Sequence, residues 1–200
     1  MRDTFPAKTT REAILDATDR LLARNGYKKM TIDELAREVG IGKGSIYLHF
    51  KSKDEIALAH IDRMVEHIKE RLHFVAEGGG APDKRLREML ILRVMIRFDS
   101  VQHYTKSLNE ILGSLRAQLL ERRKRYFNEE ARIIDAVVIE GQNAGMFIAG
   151  DSFDLSHTLI TGSNSLLPYS LSAIELGARE EVVERANKLA NLLIDGLRVR

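Results

Sequence analysis

The chain has 200 residues, 44% hydrophobic and 30% charged, the balance of a globular protein that can bury a core in one or two compact units. It contains no cysteine, which excludes disulfides, zinc fingers and cysteine nucleophiles. Net charge is only +2, yet residues 1–53 carry 11 Lys and Arg against 7 Asp and Glu, an excess that suits an anionic partner for the front of the chain.

The first ten residues are polar and lack the apolar stretch of a signal peptide. No apolar run approaches the roughly 20 residues needed to span a bilayer, so a soluble, cytoplasmic protein with no membrane partner is expected. With three prolines and no sustained strand-type alternation, the fold is expected to be all-α.

In chain order, three capping boxes come first: Thr9-x-x-Glu12, Thr31-x-x-Glu34 and Ser52-x-x-Glu55. Each offers a hydroxyl at a helix N-cap and a carboxylate three positions on. The first opens a helix with an apolar face of Ile14, Ala17, Leu21 and Leu22, ending near Gly26 in a left-handed cap that glycine adopts cheaply. The second opens a short helix whose apolar positions Ile32, Leu35, Ala36 and Val39 follow the helical spacing, stopped by Gly40. Gly40-Ile41-Gly42 then makes a tight turn, and Lys43 to Phe50 fits a third short helix with Ile46 and Phe50 inward. The outward side presents Lys43, Gly44, Ser45, Tyr47, Leu48 and His49.

Two short helices across a glycine turn, the second rich in donors and small side chains, form a helix-turn-helix pattern. Lys43 and Lys53 can neutralise phosphates, and the Ser45 and Tyr47 hydroxyls can donate to phosphate oxygens. Gly44 lets the backbone approach a groove, and Leu48 can meet a thymine methyl. Thr31 and Lys53 flank helix N-termini, where free N–H groups favour anions. Taken singly, His49 reads equally as a helix-end plug and Tyr47 as a core residue. The preserved spacing over some twenty positions favours double-stranded DNA as the partner.

The run Met30-Thr31-Ile32-Asp33-Glu34-Leu35-Ala36 and Gly40-Ile41-Gly42-Lys43-Gly44-Ser45-Ile46-Tyr47-Leu48-His49-Phe50-Lys51-Ser52-Lys53 resembles the DNA-binding signature of the TetR (tetracycline repressor) family, densely from about residue 9 to 60. By that resemblance Thr31, Tyr47, His49 and Lys53 contact phosphates, while Lys43, Gly44, Ser45 and Leu48 approach base edges. Gly42 stands where the family usually has a capping Ser, at a cost of a few tenths of a kcal/mol. Leu48 replaces the usual aromatic or His, which implies different base preferences. The segment Glu140-Gly141-x-x-x-Gly145-x-Phe147 also matches, more weakly.

Behind the motif an apolar stripe (Ile56, Ala59, Met64, Ile68, Leu72) runs along a linking helix, 52–77, to Gly78-Gly79-Gly80-Ala81-Pro82, which no helix carries through its interior. Further helices are expected at Lys84–Phe98, Tyr104–Leu115, Gln118–Gly141, Asp154–Leu171 (with Pro168 kinking or ending it) and Glu180–Leu197. The expected organisation is a three-helix DNA-binding domain over 8–54, extended by the linking helix, and a larger helical ligand-binding and dimerisation domain over 55–200. The resemblance implies a homodimer built on the last two long helices. It also implies a small-molecule effector, partly apolar, in a pocket lined by Met64, Met95, Phe98, Tyr104, Ile111 and Phe127, with Asp99, His103 and Asn109 as the polar groups.

The whole reads as a ligand-responsive regulator, in the first instance a repressor released from a palindromic operator. The alternative is a helical ligand-binding or interaction protein whose DNA-reading face no longer functions. No catalytic residues, cofactor or metal are expected: there is no nucleophile elbow or phosphate loop, and His60 and His67 lack the spacing of a helical metal pair.

Overall fold

The computed structural model describes residues 8–103, 105–167 and 175–200, with the side chains of 101, 103, 105, 106, 108, 109 and 112 also outside the description. Among the described residues there are nine α-helices and no strand beyond one isolated bridge between Phe147 and Arg198. The all-α expectation holds. The chain divides into two compact units, Met1–Arg63 with Tyr104–Arg116, and Met64–His103 with Ala117–Arg200.

The first unit holds α1 (Thr10–Asn25), α2 (Ile32–Val39), α3 (Lys43–His49), the start of α4 (Lys53–Ala76) and α6 (Thr105–Ser114). Two capping boxes form in full. The Thr9 and Thr31 hydroxyls accept the backbone N–H of Glu12 and Glu34, whose carboxylates return to the N-cap N–H groups. The third forms by half: Ser52 accepts the Glu55 N–H, but the Glu55 carboxylate takes the N–H of Lys51 instead. Gly40 caps α2 in the left-handed conformation, φ 79° and ψ 30°, whereas Gly26 closes α1 with φ 81° and ψ 166°, outside the left-handed helical region expected there. Ile14, Ala17, Leu21, Leu35, Ile46, Phe50 and Ile56 are buried. Helix α6 also packs on α1. The buried Ser107 hydroxyl donates to the Leu22 carbonyl, and the Glu110 carboxylate accepts the Lys28 N–H. Sequence periodicity carries no information about this long-range return, so the expected boundary at 54 did not include it.

The second unit holds the remainder of α4, then α5 (Pro82–His103), α7 (Arg116–Asn143), α8 (Ser152–Asn164) and α9 (Arg179–Leu197). Pro82 opens α5 at a position where its missing N–H costs nothing. The core joins Ile68, Leu72, Leu86, Leu90, Ile134, Val138, Leu159, Ala190 and Ile194. Helix α8 ends at Asn164 rather than continuing to Leu171. Ser165 closes it, its N–H bonding back to Gly162, and Pro168 lies outside the described residues. The Gly141–Phe147 segment has a packing reason: a Cβ on Gly141 would fall inside the Phe147 ring, and Gly145 turns at φ +67°. The chain then pairs with the C-terminus, Ile148 N–H to Leu197 and Val199 N–H to Met146.

Candidate nucleic-acid interface

Helix α3 is anchored by two side chains. Ile46 and Phe50 are buried, and Arg11 lies 5.1 Å over the Phe50 ring. With that face committed inward, Lys43, Gly44, Tyr47, Leu48 and His49 are exposed and Ser45 is half-buried. Tyr47 is 49% and Leu48 85% exposed, so two large side chains sit in solvent along one short helix. A Cβ on Gly42 or Gly44 would meet nothing within 4 Å, and neither has positive φ. The fold itself therefore does not require glycine there. The open space lies on the outer side, where the missing side chains let another molecule approach the backbone.

The cations around this face are held differently. Lys43 pairs with Asp33 of α2 at 2.9 Å, and that hydrogen bond raises its pKa, keeping the ammonium charged. Lys53, at the first turn of α4, donates to the carbonyls of Tyr27 at 3.2 Å and Lys28 at 3.4 Å and lies 4.5 Å from the Tyr27 ring centre. Tyr27 in turn donates its hydroxyl to Asp54; burial first, then that carboxylate, push the phenol pKa up, so it stays protonated. Thr31 is exposed at the α2 N-cap. All eight sequence-predicted DNA-contacting residues therefore fall in the first unit, on or flanking the α2–α3 segment. Sequence reasoning missed Tyr27, which holds Lys53 from 26 positions away and is itself bonded to Asp54, a pairing that leaves no local pattern.

The expected ligand residues are divided between the two units. Met95 and Asp99 line an open cleft of about 720 Å³ in the second unit. Asp99 there is held by the Arg179 guanidinium through bonds of 2.9 and 3.2 Å. Phe98 is core beside Val94 and Val182. Met64 is half-buried on α4, and the half-buried Phe127 ring lies 5.3 Å from Arg93 and 4.6 Å from Arg123. Ile111 is buried in the first unit, carried there by α6. Tyr104 and the side chains of His103 and Asn109 lie outside the described residues. The sequence also missed a buried charge cluster, in which Arg93 and Arg97 both donate to the fully buried Glu130 and Arg93 reaches Ser163 and Asn164 at 3.0 and 2.9 Å.

Residues 14–60 match the family of bacterial regulatory proteins named tetR. A solved TetR/AcrR-family transcriptional regulator from Thermobifida fusca is 26% identical, with a TM-score of 0.69 over 94% of this chain and 98% of that one. The first unit carries the TetR-family helix-turn-helix. By these matches the chain is a DNA-binding helix-turn-helix transcriptional regulator. The fatty acid metabolism regulator protein of Bacillus subtilis (strain 168) is 25% identical over 205 residues, covering 92% of this chain and 93% of that protein. The same fold is seen in the transcriptional regulator FadR from Bacillus subtilis in complex with stearoyl-CoA, at 18% identity and a TM-score of 0.67 over 94% and 99% of the two chains. Among the described residues no helix is long and apolar enough to cross a membrane.

Proposed function

We propose that this TetR-family chain is a dimeric repressor that binds a palindromic operator and leaves it when a fatty-acyl thioester binds the second unit. The observation that carries the DNA half is the outward row Lys43, Gly44, Tyr47, Leu48 and His49 on a helix whose other face is locked by Ile46 and Phe50. Thr31, Tyr47, His49 and Lys53 meet phosphates and set register, and Lys43, Gly44, Ser45 and Leu48 meet base edges. The protein acts on chromosomal DNA in the cytoplasm and has no catalytic role.

A two-fold operator calls for a two-fold protein. Leu192 is exposed on α9 beside the half-buried Leu189 and Leu193, an apolar strip that a second copy of α8 and α9 would cover. Leu193 also packs near Gly162 of its own chain, so Leu192→Arg is the cleaner variant. It leaves the monomer's core intact and should convert a dimer to monomers in sedimentation; an unchanged dimer would move the interface elsewhere.

The effector class comes from the full-length similarity to a fatty acid metabolism regulator and from the stearoyl-CoA bound to a chain of the same fold. An effector must bind one arrangement of the dimer better, and DNA must weaken it by the same factor, typically about 5–150-fold. Operator affinity measured with and without stearoyl-CoA tests this. A drop within that range is expected, and equal affinities would contradict release by this ligand.

A further inference from the structure

The cleft on the second unit has two kinds of wall. Its floor is the face of α5 formed by Ile91, Leu92, Met95 and Ile96, with Met95 buried and the others partly so. At one end stand Arg71 of α4 and Lys84 and Arg87 of α5, opposed by one lining carboxylate, Glu88. Among the described residues none of these three cations has a carboxylate partner. Arg71 lies 5.6 Å from the ring centre of the exposed Phe74. Arg87 donates to the side-chain oxygens of Asn191 at 2.7 Å and Asn187 at 2.6 Å. Those acceptors are neutral, so they fix the guanidinium's direction without cancelling its charge. That is the arrangement of a preorganised anion anchor. The opposite end is closed by the mutually neutralised Asp99–Arg179 pair. Arg87 and Asp99 are twelve residues apart on one helix, about 18 Å along its axis.

We propose that this cleft binds the phosphate-bearing head of an amphiphilic ligand at Arg71, Lys84 and Arg87 and lays its apolar chain over Ile91, Leu92, Met95 and Ile96 toward Asp99. The cationic end explains the head: excess positive charge in three fixed or fixable donors suits an ester of phosphoric acid carrying several negative charges, and a planar guanidinium binds phosphate with two hydrogen bonds. The apolar floor explains the tail, because a half-exposed aliphatic strip gains from being covered. A purely polar anion would leave the floor wet, and a neutral lipid would leave the cations unused. The identity of the ligand as a thioester rests on the proposed function; the charge and the floor do not.

The test is titration calorimetry of the full chain with stearoyl-CoA, free coenzyme A, stearate and lysophosphatidic acid, on wild type and on Arg71→Glu/Lys84→Glu. Both positions are exposed and bridge nothing in the core, and unchanged thermal melting confirms that the variant folds. Wild type is expected to bind stearoyl-CoA more tightly than coenzyme A or stearate, with affinity falling as salt rises. The double variant is expected to lose about tenfold or more in affinity for the thioester and nothing for stearate. If the variant binds stearoyl-CoA as well as wild type, the cleft assignment is overturned while the effector reading stands. If wild type ignores stearoyl-CoA but binds lysophosphatidic acid in a way the variant abolishes, the cleft assignment stands and the effector reading fails. Coenzyme A binding as tightly as its stearoyl thioester overturns the role of the floor, and no binding of either phosphate-bearing amphiphile overturns the whole proposal.

Discussion

The α2–α3 segment and the second unit are stabilised by opposite devices. Around α2 and α3 the decisive bonds join neighbours: Thr31 with Glu34 three residues on, Gly40 with Ala36 four residues back. In the second unit several polar bonds span the sequence: 33 positions for Arg97–Glu130, 104 for Arg87–Asn191 and 115 for Arg198–Asp83. The reading element is thus set by local chemistry with its outer face left open, and the second unit by charges that meet only after the chain has folded. A protein that must place one short helix against DNA needs local rigidity there. A unit that must respond to a ligand is better served by long-range couplings that a ligand can alter.

The largest expected effect breaks the second kind of bond. Glu130 is fully buried. Burial raises its pKa, but the Arg97 and Arg93 guanidiniums overcome this and hold it below the ordinary value of 4.5. A lowered folded-state value means stability that is present above the unfolded pKa and is lost as pH falls through the folded one. Acid unfolding should therefore steepen below about pH 4.5. Glu130→Gln leaves two guanidiniums without their counter-charge and should cost about 3–5 kcal/mol, lowering Tm by roughly 10 °C. It should also remove that part of the acid dependence. A Tm within about a degree of wild type would show that the cluster is not what ties α5 to α7.

Next in size is Gly141→Ala. The new methyl would collide with the Phe147 ring, which cannot retreat freely because the adjoining backbone is bonded to the C-terminal residues Leu197 and Val199. Overpacking of this kind costs about 1–3 kcal/mol, measured by chemical denaturation. Unchanged stability would mean that the glycine serves no packing role.

These two residues also show what was legible. Gly141 and Phe147 stood out in the sequence through the resemblance of their segment to the TetR family, and the ring-on-glycine contact behind it is nearly local. Glu130 was not singled out, because nothing in its own neighbourhood announces Arg93, 37 positions away. The helix-turn-helix was readable almost residue by residue, since caps, turns and the Ile46–Phe50 spacing are all short-range. The return of α6 to the first unit was not, and it places Ile111 in that unit. Helix α8 stopping at Asn164 was missed for the same reason: Ser165 and the turn after it carry no strong breaker, and Pro168 drew the expected end too far along.

A smaller effect probes the local device. Thr31→Ala removes the α2 N-cap and should cost about 1 kcal/mol; operator binding should weaken as well, if the same exposed hydroxyl meets a phosphate. Full operator affinity at reduced stability would assign Thr31 to folding alone.

The central claim is that the outer face of α3 reads DNA, and selection from random duplexes tests it most directly. The chain should enrich a palindrome whose half-sites are one helical turn, about 34–36 Å, or a multiple of it apart, with affinity falling steeply as salt rises. Tyr47→Phe should weaken every sequence alike, while Leu48→Ala should change which bases are enriched. Failure of any selected duplex to bind better than bulk DNA, or an unchanged preference in Leu48→Ala, would contradict the account.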